Sequence, residues 1–280
     1  MNTPRLFSLA LIVVAAFTAA ADDALTAAAK KIFTEHQDSV IWVSAVAKVT
    51  VTAEGAKDLP FAPPDQENKV EALGTVVDAS GLVVAALGQL DPSRNMGGRE
   101  FRYGGSTIKI DATATIKDVK VTMADGTEIP AELVMKDADL DLAFIRVKTA
   151  SKEAKGVAFK ALDLKNGGRG GVLDEVITLG RVDEVLNRVA TVTRGHITGA
   201  TKKPREFLRV QGAAQGCPTF LPDGKVLGIA SVRSVKNKGS QVVVIPAADV
   251  LEIAEQAKAA KPAAEKESPA KEEKAAAADK

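Results

Sequence analysis

Cysteine is all but missing: one residue, Cys217, in 280. No intramolecular disulfide can form, and the lone thiol is either buried or pairs between chains. Burial is the expectation, because a free Cys behaves as a small hydrophobe. Aromatics make up only 4%, with one Trp and one Tyr, so the core must be built from Val, Ile, Leu and Ala. Histidine is scarce as well, and His36 and His196 are the whole supply. They lie far apart, and no Cys/His/Asp cluster has ligand spacing, so no metal is expected. No cofactor is expected either; the glycine-rich run 166–171 follows no phosphate-loop pattern and reads as a flexible turn. Net charge is +1, which removes any electrostatic case for a nucleic-acid partner.

What is present begins with an export signal. Arg5 gives a positive start, residues 6–17 are an apolar core, and Ala19, Ala20 and Ala21 offer a small-residue cleavage site. Cleavage is expected near Ala21, leaving no membrane span and placing the protein in the periplasm or outside the cell; a retained anchor is the alternative. At the other end, residues 258–280 are Ala, Lys, Glu and Pro without large apolar side chains. Such a tail cannot offset ordering entropy by burial and is expected to be disordered.

Between these ends lies one long run of strand signals. Residues 24–36 place Leu25, Ala28, Ala29, Ile32 and Phe33 at helical spacing, with His36 on the polar side and expected to be solvated. Residues 39–52 are rich in Val and Ile and read as strand; residues 54–68 read as a polar loop. Short strands are then predicted at 73–77, 82–86, 119–123, 128–134, 142–147, 175–179, 190–198, 207–210, 225–231 and 241–245. Asp125-Gly126 and Asp223-Gly224 supply hairpin turns. Residues 91–115 look like an extra loop or hairpin, and 247–257 like a closing helix. Many short strands with few helices indicate an all-β sandwich or barrel.

Four motifs narrow this further. The first is Leu73-Gly74-Thr75-Val76-Val77-Asp78 followed by Ser80-Gly81-Leu82-Val83-Val84. The second is Asp125-Gly126 with Asp137-Ala138-Asp139-Leu140-Asp141-Leu142-Ala143. The third is Asp174 through Gly180 with Thr191-Val192-Thr193-Arg194-Gly195-His196. The fourth is Gln211 through Ile229, which contains Ala213-Ala214-Gln215-Gly216-Cys217-Pro218, with Gln241-Val242-Val243-Val244-Ile245-Pro246 after it. In this order they resemble trypsin-like serine proteases of the HtrA (Deg) type, over roughly residues 40–253. The resemblance implies a double six-stranded antiparallel β-barrel with short helices at both ends. It assigns residues 1–21 to the signal, 22–38 to the first helix and 39–257 to the barrels, with barrel one about 39–150 and barrel two about 160–250. The PDZ domain of such relatives has no counterpart in residues 258–280.

The same resemblance puts the triad histidine at Gly88, the aspartate at Asp141 and the serine at Gln215. Glycine cannot take a proton, and the Gln nitrogen lone pair is delocalised into its carbonyl, so neither base nor nucleophile is expected. The oxyanion loop becomes Ala213, Ala214 and Gln215, and a β-carbon at 213 is expected to reshape that turn. Val242, Val243 and Val244 are implied to border the substrate cleft. The resulting expectation is a non-catalytic homologue that binds a peptide or protein between the barrels, with a homo-oligomer left open. One alternative is an active serine endopeptidase using Ser231, Ser234 or Ser240; the other is a structural tether. A displaced thiol nucleophile pairing Cys217 with His196 is the weakest reading. Asp137, Asp139 and Asp141 alternate as in a calcium loop but lack the rest of its ligand pattern.

Overall fold

The computed structural model describes residues 24–54, 65–96, 98–103, 106–235 and 238–260. The expected signal (1–21), most of the proline loop and the tail beyond 260 lie outside these residues. Helix α1 (24–36) leads into thirteen strands: β1 (Val40–Glu54), β2 (Gln66–Asp78), β3 (Leu82–Ala86), β4 (Arg99–Tyr103), β5 (Ser106–Thr122), β6 (Glu128–Asp137), β7 (Leu142–Val147), β8 (Glu175–Arg181), β9 (Ala190–Thr201), β10 (Phe207–Val210), β11 (Pro218–Phe220), β12 (Val226–Val235) and β13 (Gly239–Pro246). A single-turn helix α2 (Leu87–Leu90) follows β3, and α3 (Ala247–Ala259) closes the chain. Among the described residues no helix is long and apolar enough to cross a membrane.

The strands form two closed antiparallel six-stranded barrels. The first runs β1-β2-β3-β7-β6-β5 and closes through β1–β5, with β4 paired outside the ring on β5. The second runs β10-β13-β12-β11-β8-β9. The 15-residue β1 pairs with β2 over Val40–Val49 and with β5 over Trp42–Glu54, and a register shift between Ser44 and Val46 interrupts the β5 side. Such shifts bend a long strand so that a ring can close. The predicted 91–115 insertion is thus ordered in part as the β4–β5 hairpin, and β2 starts well before the predicted position.

Each barrel holds its own apolar filling. Ile41, Val43, Val76, Val83, Ile129 and Ile145 cluster in the first. Val176, Ile197, Leu208, Leu227, Ala230 and Val244 cluster in the second. The largest cluster joins the barrels to the helices: Ile32 of α1, Leu73, Leu82 and Phe144 of barrel one, Ile177, Cys217 and Phe220 of barrel two, and Val250 and Ala254 of α3. Strands β3 and β8 are buried on both faces because they serve a barrel filling and this shared layer together.

Polar contacts then fix the angle between the barrels. The buried Thr75 hydroxyl donates to the Gly216 carbonyl at 2.6 Å. Arg181 of barrel two donates to the carbonyls of Val40 and Gln37. Arg146 of β7 donates to the carbonyls of Ala257 (2.8 Å), Lys258 (3.0 Å) and Ala260 (3.1 Å), capping the carbonyl end of α3. Beside it Lys258 meets Asp78 at 2.8 Å. The Lys258 ammonium, with Ser80 next, holds the Asp78 carboxyl down to about 2.

The three Arg146 hydrogen bonds outweigh a surface ion pair, since each carbonyl that loses its donor leaves the helix end unsatisfied. Arg146→Ala is expected to cost about 2 kcal/mol, or roughly 4–8 °C in Tm. Calorimetry on the purified variant checks it, and an unchanged Tm would show that α3 docks through its apolar face alone.

Candidate functional site

The tight turn between β6 and β7 is where the site is built. Asp137 accepts from the backbone N–H groups of Asp139 (3.0 Å) and Leu140 (2.9 Å), so its carboxylate closes its own loop. That turn ends at Asp141, whose φ of 57° is left-handed. Asp141 is 4% exposed, and nearly every lone pair it has is used. Its carbonyl accepts from the Leu87 N–H (2.9 Å) and the Ser231 hydroxyl (2.8 Å). Its carboxylate accepts from the Gly88 N–H (2.8 Å), and the Ser231 hydroxyl lies 3.3 Å from the other oxygen.

The remaining partner is one the sequence did not disclose. Arg94, in the turn Pro92–Asn95, places its Nε 3.3 Å from Asp141 Oδ1, while its other nitrogen donates to the Ala138 carbonyl at 2.8 Å. The guanidinium therefore lies against the carboxylate face that Gly88 leaves open. A β-carbon built on Gly88 would come to 3.2 Å from Asp141 Oδ1. Burial pushes the Asp141 carboxyl above its ordinary value, opposed first by Arg94 and then by the Gly88 and Ser231 hydrogen bonds.

Gln215 faces this group from the second barrel. Gly88, Arg94, Asp141, Gln215, Val232, Ser234 and Ser240 line a single cavity of about 450 Å³. The turn around Gln215 is held by Gly216 N–H to Ala230 O (2.7 Å) and Cys217 N–H to Ala214 O (3.1 Å). Gly216 has φ +77°, and a β-carbon there would lie 1.9 Å from the Leu73 carbonyl oxygen. Only glycine fits where this turn presses on barrel one. Ala213 packs partly buried against the filling of barrel two.

The three expected triad positions are thus brought together, but Val242–Val244 are not part of that cavity. Val243 and Val244 are buried, and Val244 points into barrel two. The side chains of the neighbouring β12 strand, Val232 and Ser234, take the cavity wall instead. His36 is not simply solvated: its ring stacks on Phe220 at 5.1 Å, and burial lowers its pKa. His196 is exposed on β9 and Cys217 is fully buried, so a Cys217–His196 couple has no geometric basis. Burial pushes the Cys217 thiol up to about 12, far from a reactive thiolate. Residues 166–171 are also pinned rather than loose, through the bridge Gly167–Val226 and the Gly168 N–H to Val226 O at 2.9 Å.

Comparison with known proteins fits this architecture. The trypsin-like peptidase domain family matches residues 72–229, more than half the chain. The chain belongs to this family. The match runs from β2 to β12 and takes in Gly88, Asp141 and Gln215. No curated protein matches. Among solved structures the trypsin-like chain is similar to the apo form of the MamO protease domain from Magnetospirillum magneticum. That likeness has 16% identity and a TM-score of 0.46, and covers 79% of this chain and 98% of that one.

The raised Asp141 pKa has a sign that can be tested. A carboxyl whose folded value lies above its unfolded value contributes most stability below the unfolded pKa, and that contribution is lost as pH rises through the folded value. Asp141→Asn should therefore gain stability relative to the parent protein between pH 3 and pH 7. Urea denaturation of both at the two ends of that range measures it; a gap that narrows or stays level contradicts the assignment. Arg94→Ala should move the Asp141 pKa further upward by NMR titration, because the largest opposing charge is gone. Cys217 should resist maleimide at pH 8 in the folded protein and react fully in denaturant.

Proposed function

We propose that this protein is a non-catalytic trypsin-like homologue of the HtrA type, exported to the periplasm or cell exterior. It binds an extended peptide or protein segment in the cleft between its barrels. The observation that carries this reading is the set of partners around Asp141. A guanidinium occupies the carboxylate face on which a general base would have to sit, and arginine cannot accept a proton at any working pH. Gln215 supplies amide donors and an acceptor to the same cavity, which are binding groups rather than nucleophiles. Ser231 spends its hydroxyl on Asp141, and no histidine lines the cavity with Ser234 and Ser240. Export is supported by the pattern of residues 1–21 alone.

A cavity of about 450 Å³ with mixed polar and apolar walls suits one or two residues of a peptide chain. The mature protein should show no fluorophosphonate labelling and no casein hydrolysis. Labelling at Ser234 or Ser240 would make it an active peptidase and end the proposal. In a displayed peptide library, enriched sequences should lose binding when Gln215→Trp fills the cavity. Enrichment that ignores this change, or none at all, counts against the cleft. The double change Gly88→His and Gln215→Ser should leave hydrolysis at background. The new imidazole must compete with Arg94 for Asp141, and its β-carbon starts 3.2 Å from that carboxylate.

A further inference from the structure

The β12–β13 hairpin has two faces, because side chains alternate along a strand. Val232, Ser234 and Ser240 face the Asp141 cavity. Arg233, Val235 and Val243 face a second, separate groove of about 410 Å³ on barrel two, which shares no lining residue with the first. Its floor is Phe207 and Val243, and exposed Val235 forms a wall. Three cations stand around it. The Arg233 guanidinium lies 4.5 Å from the centre of the Phe207 ring, Arg209 donates to the Thr198 hydroxyl at 3.2 Å, and Lys238 sits at the hairpin end. No acidic residue lines the groove, and among the described residues none of the three makes an ion pair with a carboxylate.

The backbone beside the groove is also open. Strand β13 pairs with β12 continuously from Gly239 to Pro246. On its other side it meets β10 at one position, Leu208 with Val244. The register carried on from that pair sets Arg209 and Val210 beside Val243 and Val242, so only the stretch of β13 past the end of β10, Gly239 to Gln241, is paired on one side alone, which is the condition for a further strand to add. An apolar floor, a free strand edge and uncompensated positive charge together specify one kind of occupant.

We propose that this groove binds an extended acidic peptide segment of a partner protein. Apolar side chains of the segment cover Phe207, Val235 and Val243, and its carboxylates meet Arg209, Arg233 and Lys238. The proposal goes beyond the cleft reading and stands without it. Charge would give the interaction its selectivity and its salt dependence, and apolar burial its residence time.

Fluorescence anisotropy on the full mature chain tests it. The probe is a fluorescein-labelled, C-terminally amidated octapeptide of alternating valine and glutamate. Expected results are saturable binding, at least tenfold weaker binding of the valine–glutamine analogue, and a similar loss in Arg209→Glu and in Arg233→Ala. Arg209 is exposed, so Arg209→Glu should keep the parent Tm and the loss cannot be charged to unfolding. Gln215→Trp should bind the probe as the parent does. Equal affinity for the two peptides, no saturable binding, or loss in Gln215→Trp but not in Arg209→Glu would overturn the groove; the last result leaves the cleft reading standing. Binding that needs prior deletion of residues 261–280 would put the chain's own tail in the groove, and overturns an external partner.

Discussion

A buried carboxylate must be satisfied, and in this molecule that demand organises the meeting of the two barrels. Asp141 sits on barrel one in a left-handed backbone and is almost sealed from water. Taking an unpaired carboxylate out of water costs several kcal/mol, so each partner that meets it is structurally required. Those partners come from three separate segments: the α2 turn through the Gly88 N–H, the following turn through Arg94, and barrel two through the Ser231 hydroxyl, while the Leu87 N–H and Ser231 also hold the Asp141 backbone carbonyl. The hydrogen bond of Ser231 is therefore a fixture between barrels as much as a local contact. It works with Thr75–Gly216 and the Arg181 contacts to hold a shared apolar layer in one geometry.

Strand periodicity distributes chemistry from that fixed frame. On β12, buried Ser231 reaches back to Asp141, and beyond it Val232 and Ser234 line the first cavity while Arg233 and Val235 line the groove. A hairpin with two useful faces follows from nothing more than alternate side-chain direction. Its precise placement follows from the Gly216 turn, which can press against Leu73 only because it lacks a β-carbon.

Much of this frame was legible in the sequence. The Asp-Gly turns, the Val- and Ile-rich runs and the motif order gave both barrels, and the predicted strand at 207–210 matches β10 end to end. Asp141 could be placed because the run from Asp137 to Ala143 resembles a motif of the family. Arg94 could not, because it lies in a Gly- and Ser-rich loop whose path depends on the rest of barrel one. The available signal was indirect: a buried acid without an imidazole needs another cation, and an arginine a few residues past Gly88 is within reach. His36 was misjudged for a similar reason. Helical spacing gave its face on α1, but only tertiary packing brings Phe220 beneath it. The Val242–Val244 run was placed at the cleft by the family resemblance, and three consecutive valines carry no alternation that would say which of them faces it. Continuous apolar strands are buried on both faces, and alternation then carries no signal.

The Arg94 contact also explains how Asp141 stays buried with no imidazole beside it. In a protonation-based site the acid's partner must change charge during turnover, and the surrounding hydrogen bonds have to tolerate both states. A guanidinium never changes charge, so Asp141 here faces a permanent cation, a backbone N–H and a hydroxyl, all donors. Such a shell suits a single ionisation state and keeps a residual desolvation penalty, which is why the Asp141 pKa remains raised in spite of its partners. The acid fastens the walls of a cavity. What that cavity offers chemically is set by the donors and shapes around it, and not by the fold that carries it.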